Sequence, residues 1–141
     1  MTPISNAVTY RREAGLDPAE FARVLNESGL GASRPTGDLG RLGRMLSQAN
    51  LTVTARLAAD GALLGVARGV TDFSWCCYLS ELAVGRAAQG LGVGRGLVDQ
   101  VRRELGPQVS LFLISMPDAV GFYERIGMAR CDHAFAFTRE R

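Results

Sequence analysis

A chain of 141 residues, 47% hydrophobic and 21% charged, has the length and balance of one globular domain spanning 1–141, not of a disordered or fibrous protein. A net charge of +2 is too small to argue for a nucleic-acid or membrane partner, and no apolar run approaches the roughly 18 residues of a membrane span. The three cysteines are odd in number, with no C-x-x-C, which speaks against a disulfide framework or zinc site, and His133 is the lone histidine. Residues 1–12 lack the apolar centre of a signal peptide, so a cytoplasmic protein is the default expectation.

Taken in order, residues 7–12 read as a short strand with Val8 and Tyr10 on one face. Asp17-Pro18-Ala19-Glu20 is a helix start, with Asp17 placed to cap and Pro18 in the first turn. Phe21, Val24 and Leu25 share a face of that helix, and Gly29 and Gly31 stop it. A connection containing Arg34 leads to a second helix over about 37–49, with Leu39, Leu42 and Leu46 on one stripe. Residues 51–58 alternate strictly, which predicts a strand with one wet face. Asp60-Gly61 is a hairpin turn signal, and 62–70 is the return strand. Residues 75–84 are apolar on both faces and predict a central strand, in which Trp75, Cys76 and Cys77 read as core.

The next stretch, Gln89-Gly90-Leu91-Gly92-Val93-Gly94, is a glycine turn between that strand and a helix whose stripe is Leu97, Val98, Val101 and Leu105. Strand, glycine turn and helix start form a phosphate-cradling arrangement, because N–H groups converge there and the helix dipole favours an anion. Two common phosphate loops fail by spacing and composition. G-x-G-x-x-G would need glycine at Arg95 or Leu97, and the P-loop would need a lysine, whereas all 16 basic residues are arginine. Beyond the helix, 109–115 is a second buried strand, its helical crossover predicting a parallel neighbour. Pro117 starts a helix that Gly127 stops, and 128–130 and 134–139 read as two final short strands. The order is β-α-α-β-β-β-α-β-α-β-β: an α/β fold of mixed α+β character, with a mixed sheet of about six to seven strands flanked by about four helices.

The remaining Q-x-x-G-x-G pattern, Gln89, Gly92 and Gly94, resembles the acyl-CoA-binding motif of the GNAT superfamily of N-acyltransferases. Phe122-Tyr123-Glu124-Arg125-Ile126-Gly127-Met128 resembles that family's last helix, and the element order matches throughout. Asp118 departs from the asparagine often found there. The resemblance implies direct transfer of an acetyl group from acetyl-CoA to the primary amine of a small molecule, without a metal. It implies that the fourth and fifth strands splay apart. The pantetheine arm would pair with backbone of Leu82, Ala83 and Val84, and the diphosphate would rest on Gln89, Gly90, Leu91, Gly92, Val93 and Gly94, with Arg95 and Arg86 flanking. Tyr123 corresponds to the acid that protonates the leaving thiolate; a phenol of pKa about 10 donates to a thiolate of about 8.5 at modest cost.

Glu81 lies on the central strand, where burial should raise its pKa and suit it as a base, with Tyr78 on the opposite face as its rival and acceptor binding as its other role. The acceptor site implied by the family is the connection 30–38 with Arg34, joined by Asp72, Phe73 and Trp75. Acetylation of a protein amine and a non-catalytic acyl-CoA-binding regulatory module are the competing readings. Dimerisation is common in the family.

Overall fold

Five strands, β1 (Val8–Arg12), β2 (Leu51–Leu57), β3 (Leu63–Thr71), β4 (Cys76–Val84) and β5 (Ser110–Leu113), form one sheet in the order β1-β2-β3-β4-β5. The computed structural model describes residues 7–140; Met1 to Asn6, part of the stretch read above for a leader, and Arg141 lie outside them. The first four strands are antiparallel meanders, and β5 is parallel to β4. That parallel pair requires a crossover, supplied by helix α3 (Val93–Leu105). Helices α1 (Pro18–Ser28) and α2 (Leu39–Gln48) cover one face of the sheet and α3 the other. A short helix α4 (Val120–Arg125) follows β5 through a 3₁₀ turn, Pro117–Ala119.

The two helical faces have different chemistry. Under α3 the core is aliphatic: Leu51, Val53 and Ala55 of β2 and Cys77 and Leu79 of β4 pack on Val93, Leu97 and Val101. Under α1 and α2, Phe21, Val24, Leu25 and Leu42 meet Leu63, Val66 and Ala83. Phe21, Leu25 and Leu42 are fully buried, each contributing roughly 1.5–3 kcal/mol. Beside this second core lies a polar layer, because the alternate residues of β2 are not wet. Thr52 and Thr54 are buried, and Thr54 Oγ1 donates to Glu13 Oε1 at 2.7 Å. Glu13 also accepts from Arg56 at 2.9 and 2.8 Å, so the charges left on that face are mutually satisfied.

One residue of β4 is out of register. Arg68 lies opposite Glu81 and Gly69 opposite Leu79, which leaves Ser80 as a β-bulge. Since side chains alternate along a strand, the extra residue switches faces. Before the bulge Cys77 and Leu79 point at α3; after it Leu82 and Val84 do, while Glu81 and Ala83 turn toward α1 and α2. Tyr78 and Glu81 therefore share a face, where unbroken alternation predicts opposite ones.

Other expectations also change. The two final strands do not form: after α4, residues 128–140 carry no regular secondary structure, and the described residues hold five strands, not six or seven. Asp17 starts α1 without a side-chain cap, whereas Asp38 caps α2 by accepting from Arg41 N–H at 3.0 Å. Trp75 is exposed because the β3–β4 loop turns outward before β4 begins, and Cys76, the first residue of β4, is exposed on the face opposite Cys77; Cys77 is buried as expected.

Candidate active site

Pairing between β4 and β5 runs only from Cys76–Ser110 to Leu79–Leu113 and stops at the Ser80 bulge. From there β4 continues to Val84 with no strand beside it, so the two strands fork as expected. Strand geometry decides which backbone groups face the fork. Gly85 N–H donates to Leu64 O across β3 at 2.7 Å, so alternation directs the N–H and C=O of Ala83 toward β3 and those of Leu82 and Val84 toward the fork. Of the three residues expected to hold a pantetheine arm, Ala83 is thus committed to the sheet. The Val84 carbonyl is occupied too, accepting from Gln89 Nε2 at 3.2 Å. Leu82 and the Val84 N–H remain.

The glycine turn follows. Gly90 and Gly92 have φ of 81° and 79°, and a Cβ at either would meet no protein atom, so these glycines answer to backbone conformation, not to crowding. Gly92 caps α3, and the first-turn N–H groups of Val93, Gly94 and Arg95 have no partner within the helix. The N–H groups of Gln89 and Leu91 are different: they donate inside the turn to Arg86 O and Ala88 O. The Gln89 side chain also reaches Glu27 O, and Glu27 Oε1 accepts from Arg86 N–H at 3.0 Å. That backbone bond, helped by Arg23, holds the Glu27 carboxyl below its ordinary pKa. Gln89 is therefore a clamp that fastens the turn to the end of α1. Arg95 is exposed beside the turn, and so is Arg86.

Between the fork and α4 lies a cavity of about 170 Å³ lined by Leu30, Arg34, Ser80, Leu82, Asp118 and Tyr123 among others. Tyr123 is positioned by its neighbour: Phe122 packs over Gly94, where a Cβ would come within 3.1 Å of its ring, and the two aromatic rings meet edge to face at 5.2 Å. With Phe122 on α3, Tyr123 falls on the cavity. Burial raises the Tyr123 pKa, so the phenol keeps its proton at neutral pH.

Glu81 differs from the expectation. Its side chain is fully buried and bound by two arginines. Arg34 Nε donates to Oε2 at 2.7 Å, Arg68 grips both carboxylate oxygens, and Ser80 Oγ donates at 2.6 Å. Burial pushes the carboxyl pKa up, but Arg68, Ser80 and Arg34 together outweigh it and hold the group below its ordinary value. The rise that would suit a base is absent. Arg34 goes on to donate to Ser80 O at 2.7 Å, which ties the bulge to the connection before α2. Arg68 is a partner that the sequence reading missed. Its signal was there: one arginine inside the apolar run of β3, opposite one glutamate inside that of β4, each needing a counter-charge once buried.

Of the expected acceptor-side residues, Leu30 and Arg34 reach the cavity. Asp72, Phe73 and Trp75 do not line it. Asp72 Oδ1 accepts from the N–H groups of Ser74, Trp75 and Cys76, organising its own loop, and Phe73 lies under the Arg12 guanidinium at 4.8 Å. Among the described residues no group of three or more His, Cys, Asp or Glu is arranged to hold a metal. No described helix is long and apolar enough to cross a membrane.

The fold that carries this fork has counterparts among known proteins. A family model described as the acetyltransferase (GNAT) domain matches residues 41–138. The chain belongs to the GNAT acetyltransferase family. It is an acyltransferase, and acetyl-CoA is the general donor of that family. Solved structures agree on the fold. A candidate acetyltransferase of Deinococcus radiodurans R1 is 26% identical, with 99% of this chain and 92% of that one covered and a TM-score of 0.75. A GNAT-family acetyltransferase of Streptococcus pneumoniae TIGR4 is 21% identical over 95% of this chain and all of its own, with a TM-score of 0.70. An aminoglycoside acetyltransferase from an uncultured soil sample, solved with trehalose, is 18% identical over 97% and 98%, with a TM-score of 0.69. No curated protein matches the chain.

Proposed function

We propose that this GNAT acetyltransferase, a single domain over 1–141, moves an acetyl group from acetyl-CoA to the primary amine of a small molecule. The observation that carries the reading is the cavity at the fork, where a half-buried, protonated Tyr123 faces strand β4 at the point where β5 departs. Leu82 and the Val84 N–H offer the free backbone groups of β4 to a pantetheine arm. Gly90, Gly92, Val93, Gly94 and Arg95 offer N–H groups and a helix start to a diphosphate, with the Arg95 guanidinium alongside. Gln89 and Leu91 contribute by fixing the turn.

In this reading Tyr123 hands its phenolic proton to the sulfur as the C–S bond breaks. The amine supplies the electron pair for the new C–N bond and gives up its own proton to solvent. Glu81, already a well-satisfied carboxylate, is a positioning residue: with Arg34 and Arg68 it fixes the Ser80 bulge and hence the fork. A small acceptor is supported by the size of the cavity and by its enclosure between the 3₁₀ turn Leu30–Ser33 and the segment before α4. Release of CoA, measured with acetyl-CoA against parallel panels of small primary amines and mixed peptides, tests it. Turnover confined to the small amines is expected; turnover confined to peptides would replace the acceptor class, and none with either would remove the enzymatic reading of this cavity.

A further inference from the structure

Helices α1 and α2 leave part of their own side of the sheet bare. α2 reaches as far as the rung of Arg68 and Glu81, where Arg68 Nη1 donates to Met45 O at 3.1 Å. On the next rung Val70 lies opposite Tyr78 and Tyr78 opposite Phe112, and the three side chains are 49%, 42% and 49% exposed. Val70 and Tyr78 share the face of Arg68 and Glu81. Phe112 shares it too, because Leu111 and Leu113 on either side of it pack under α3. Ile114, the next residue of β5's chain on that face, is exposed and lines the cavity at the fork, as does Met116. Val70, Tyr78, Phe112, Ile114 and Met116 form one apolar strip that runs across three strands into the cavity. An exposed apolar surface of this kind marks a place where a ligand or partner binds. None of the five belongs to the connection 30–38 or to the loop of Asp72, Phe73 and Trp75, where the family resemblance placed the acceptor.

The end of the strip at the fork indicates its occupant. Among the described residues the charged lining of the cavity is Arg34 and Asp118, and Arg34 commits its donors to Glu81, Ser80 O and Ser33. That leaves one carboxylate, Asp118, for one ammonium group. An acceptor with several charges or many hydroxyls would lie against Val70, Phe112 and Ile114 with its polar groups unpaired. We infer that the acceptor is an aromatic primary monoamine, its ring laid across Tyr78 and Phe112 and its amino group carried past Ile114 to the fork. This rests on the reading of the fork as the site of acetyl transfer. Tyr78 and Phe112 offer a third ring offset or edge-to-face contacts, and the Met116 thioether is a favourable neighbour for a ring edge. Tyr78 precedes Ser80 by two residues, about 7 Å along a strand, a separation that an arm of about two or three carbons between ring and nitrogen covers. Tyr78 and Phe112 are then the residues that set specificity, and they do so without touching the thioester.

Release of CoA from acetyl-CoA tests this with phenethylamine, ethylamine and spermidine as acceptors, in the wild type and in the double variant Tyr78→Thr/Phe112→Thr. The wild type should prefer phenethylamine to ethylamine by about 100-fold in kcat/KM. Spermidine should be turned over no better than ethylamine. The double variant should bring the preference for phenethylamine to within about 5-fold, mainly through KM. Because both side chains are exposed and threonine suits a strand, it should keep its circular dichroism spectrum. Equal turnover of phenethylamine and ethylamine by the wild type, or better turnover of spermidine, would overturn the inference and leave acetyl transfer to a small amine standing. If the double variant then also sedimented at a lower mass than the wild type, a second copy of the chain would be the occupant of the strip. A double variant slowed alike with both amines, its preference intact, would show that the two rings only support the sheet, and would overturn the inference equally. No turnover with any of the three amines would remove it together with the reading of the fork.

Discussion

Tyr123 is a half-buried phenol and Glu81 a buried carboxyl, and their surroundings drive them to opposite protonation states. Around Tyr123 burial acts without a compensating cation, and the phenol stays neutral. Around Glu81 two guanidiniums and a hydroxyl overcome burial, and the carboxyl stays ionised. Tyr123→Phe should therefore lower kcat by about 10²–10⁴-fold while the affinity for acetyl-CoA, measured by calorimetry, is unchanged. An equal loss of affinity would show that the ring only packs. Glu81→Gln leaves two arginines facing a neutral amide. It should cost roughly 3–5 kcal/mol in stability, read from denaturant unfolding. The acid limb of stability follows from the same site. A depressed carboxyl pKa contributes stability that is complete above the ordinary value near 4.3 and is lost as pH falls through the lower folded value. Stability of the wild type should thus fall below about pH 4.3, and Glu81→Gln should flatten that fall; Glu13, held below its ordinary pKa mainly by Arg56, accounts for part of what remains. An acid limb identical in both proteins would show that Glu81 is not depressed.

At the scale of elements, the site depends on one inserted residue. The Ser80 bulge ends the β4–β5 pairing, turns Leu82 and Val84 toward α3 and brings Glu81 under α1 and α2. Deleting Ser80 would restore unbroken alternation while every other residue of β4 keeps its face and its β3 partner, and would remove the point at which β4–β5 pairing ends. The expected outcome is a protein that unfolds cooperatively, followed by circular dichroism, but has lost acetyl transfer because the fork is altered. Retained cooperativity with full activity would mean that the bulge is incidental. The glycine turn gives a milder test. Gly92 caps α3 at φ 79°, a conformation that costs another residue about 1–2 kcal/mol, while no side-chain contact is lost in a change to alanine. Gly92→Ala should fold and unfold cooperatively, and should bind CoA about 10-fold more weakly by calorimetry. Undiminished affinity would detach the turn from the diphosphate. Much of this element was legible beforehand: the strand, the turn and the stripe of α3 are local patterns. The bulge was not, because Leu79-Ser80-Glu81-Leu82 reads as ordinary strand, and only pairing with Arg68 and Gly69 exposes the extra residue.

At the scale of the molecule, the forked sheet is a binding frame with β4 and β5 as its two halves, and ion pairs brace the half that carries β4. Arg34 and Arg68 bind Glu81, and Arg56 binds Glu13, so the α1 and α2 side is fixed by charge as well as by aliphatic packing. A ligand seated between these halves should raise the unfolding midpoint. At 100 times its dissociation constant, acetyl-CoA or CoA adds about 2.7 kcal/mol, a shift of several degrees for a domain of this length. NADH and ATP should give none at equal concentration. A shift with either of them would reopen the reading of the glycine turn.

The sequence by itself determined the elements and the chemistry of the turn. Helical stripes such as Phe21-Val24-Leu25, the alternation of β2 and the spacing of Gln89, Gly92 and Gly94 are properties of neighbouring residues, so no long-range contact is needed to see them. The family followed from those patterns in order. What only the tertiary structure decided was every question of what lies opposite. Polar residues of β2 read as wet until Glu13 covers them, and Glu81 reads as a base until Arg34 and Arg68, 47 and 13 residues away, reach it. Trp75 reads as core until its loop turns outward, and residues 134–139 read as a strand although no edge in the protomer receives them. The physical reason is common to all four. Propensity and periodicity are short-ranged, whereas burial, ionisation and strand pairing are set by groups far along the chain.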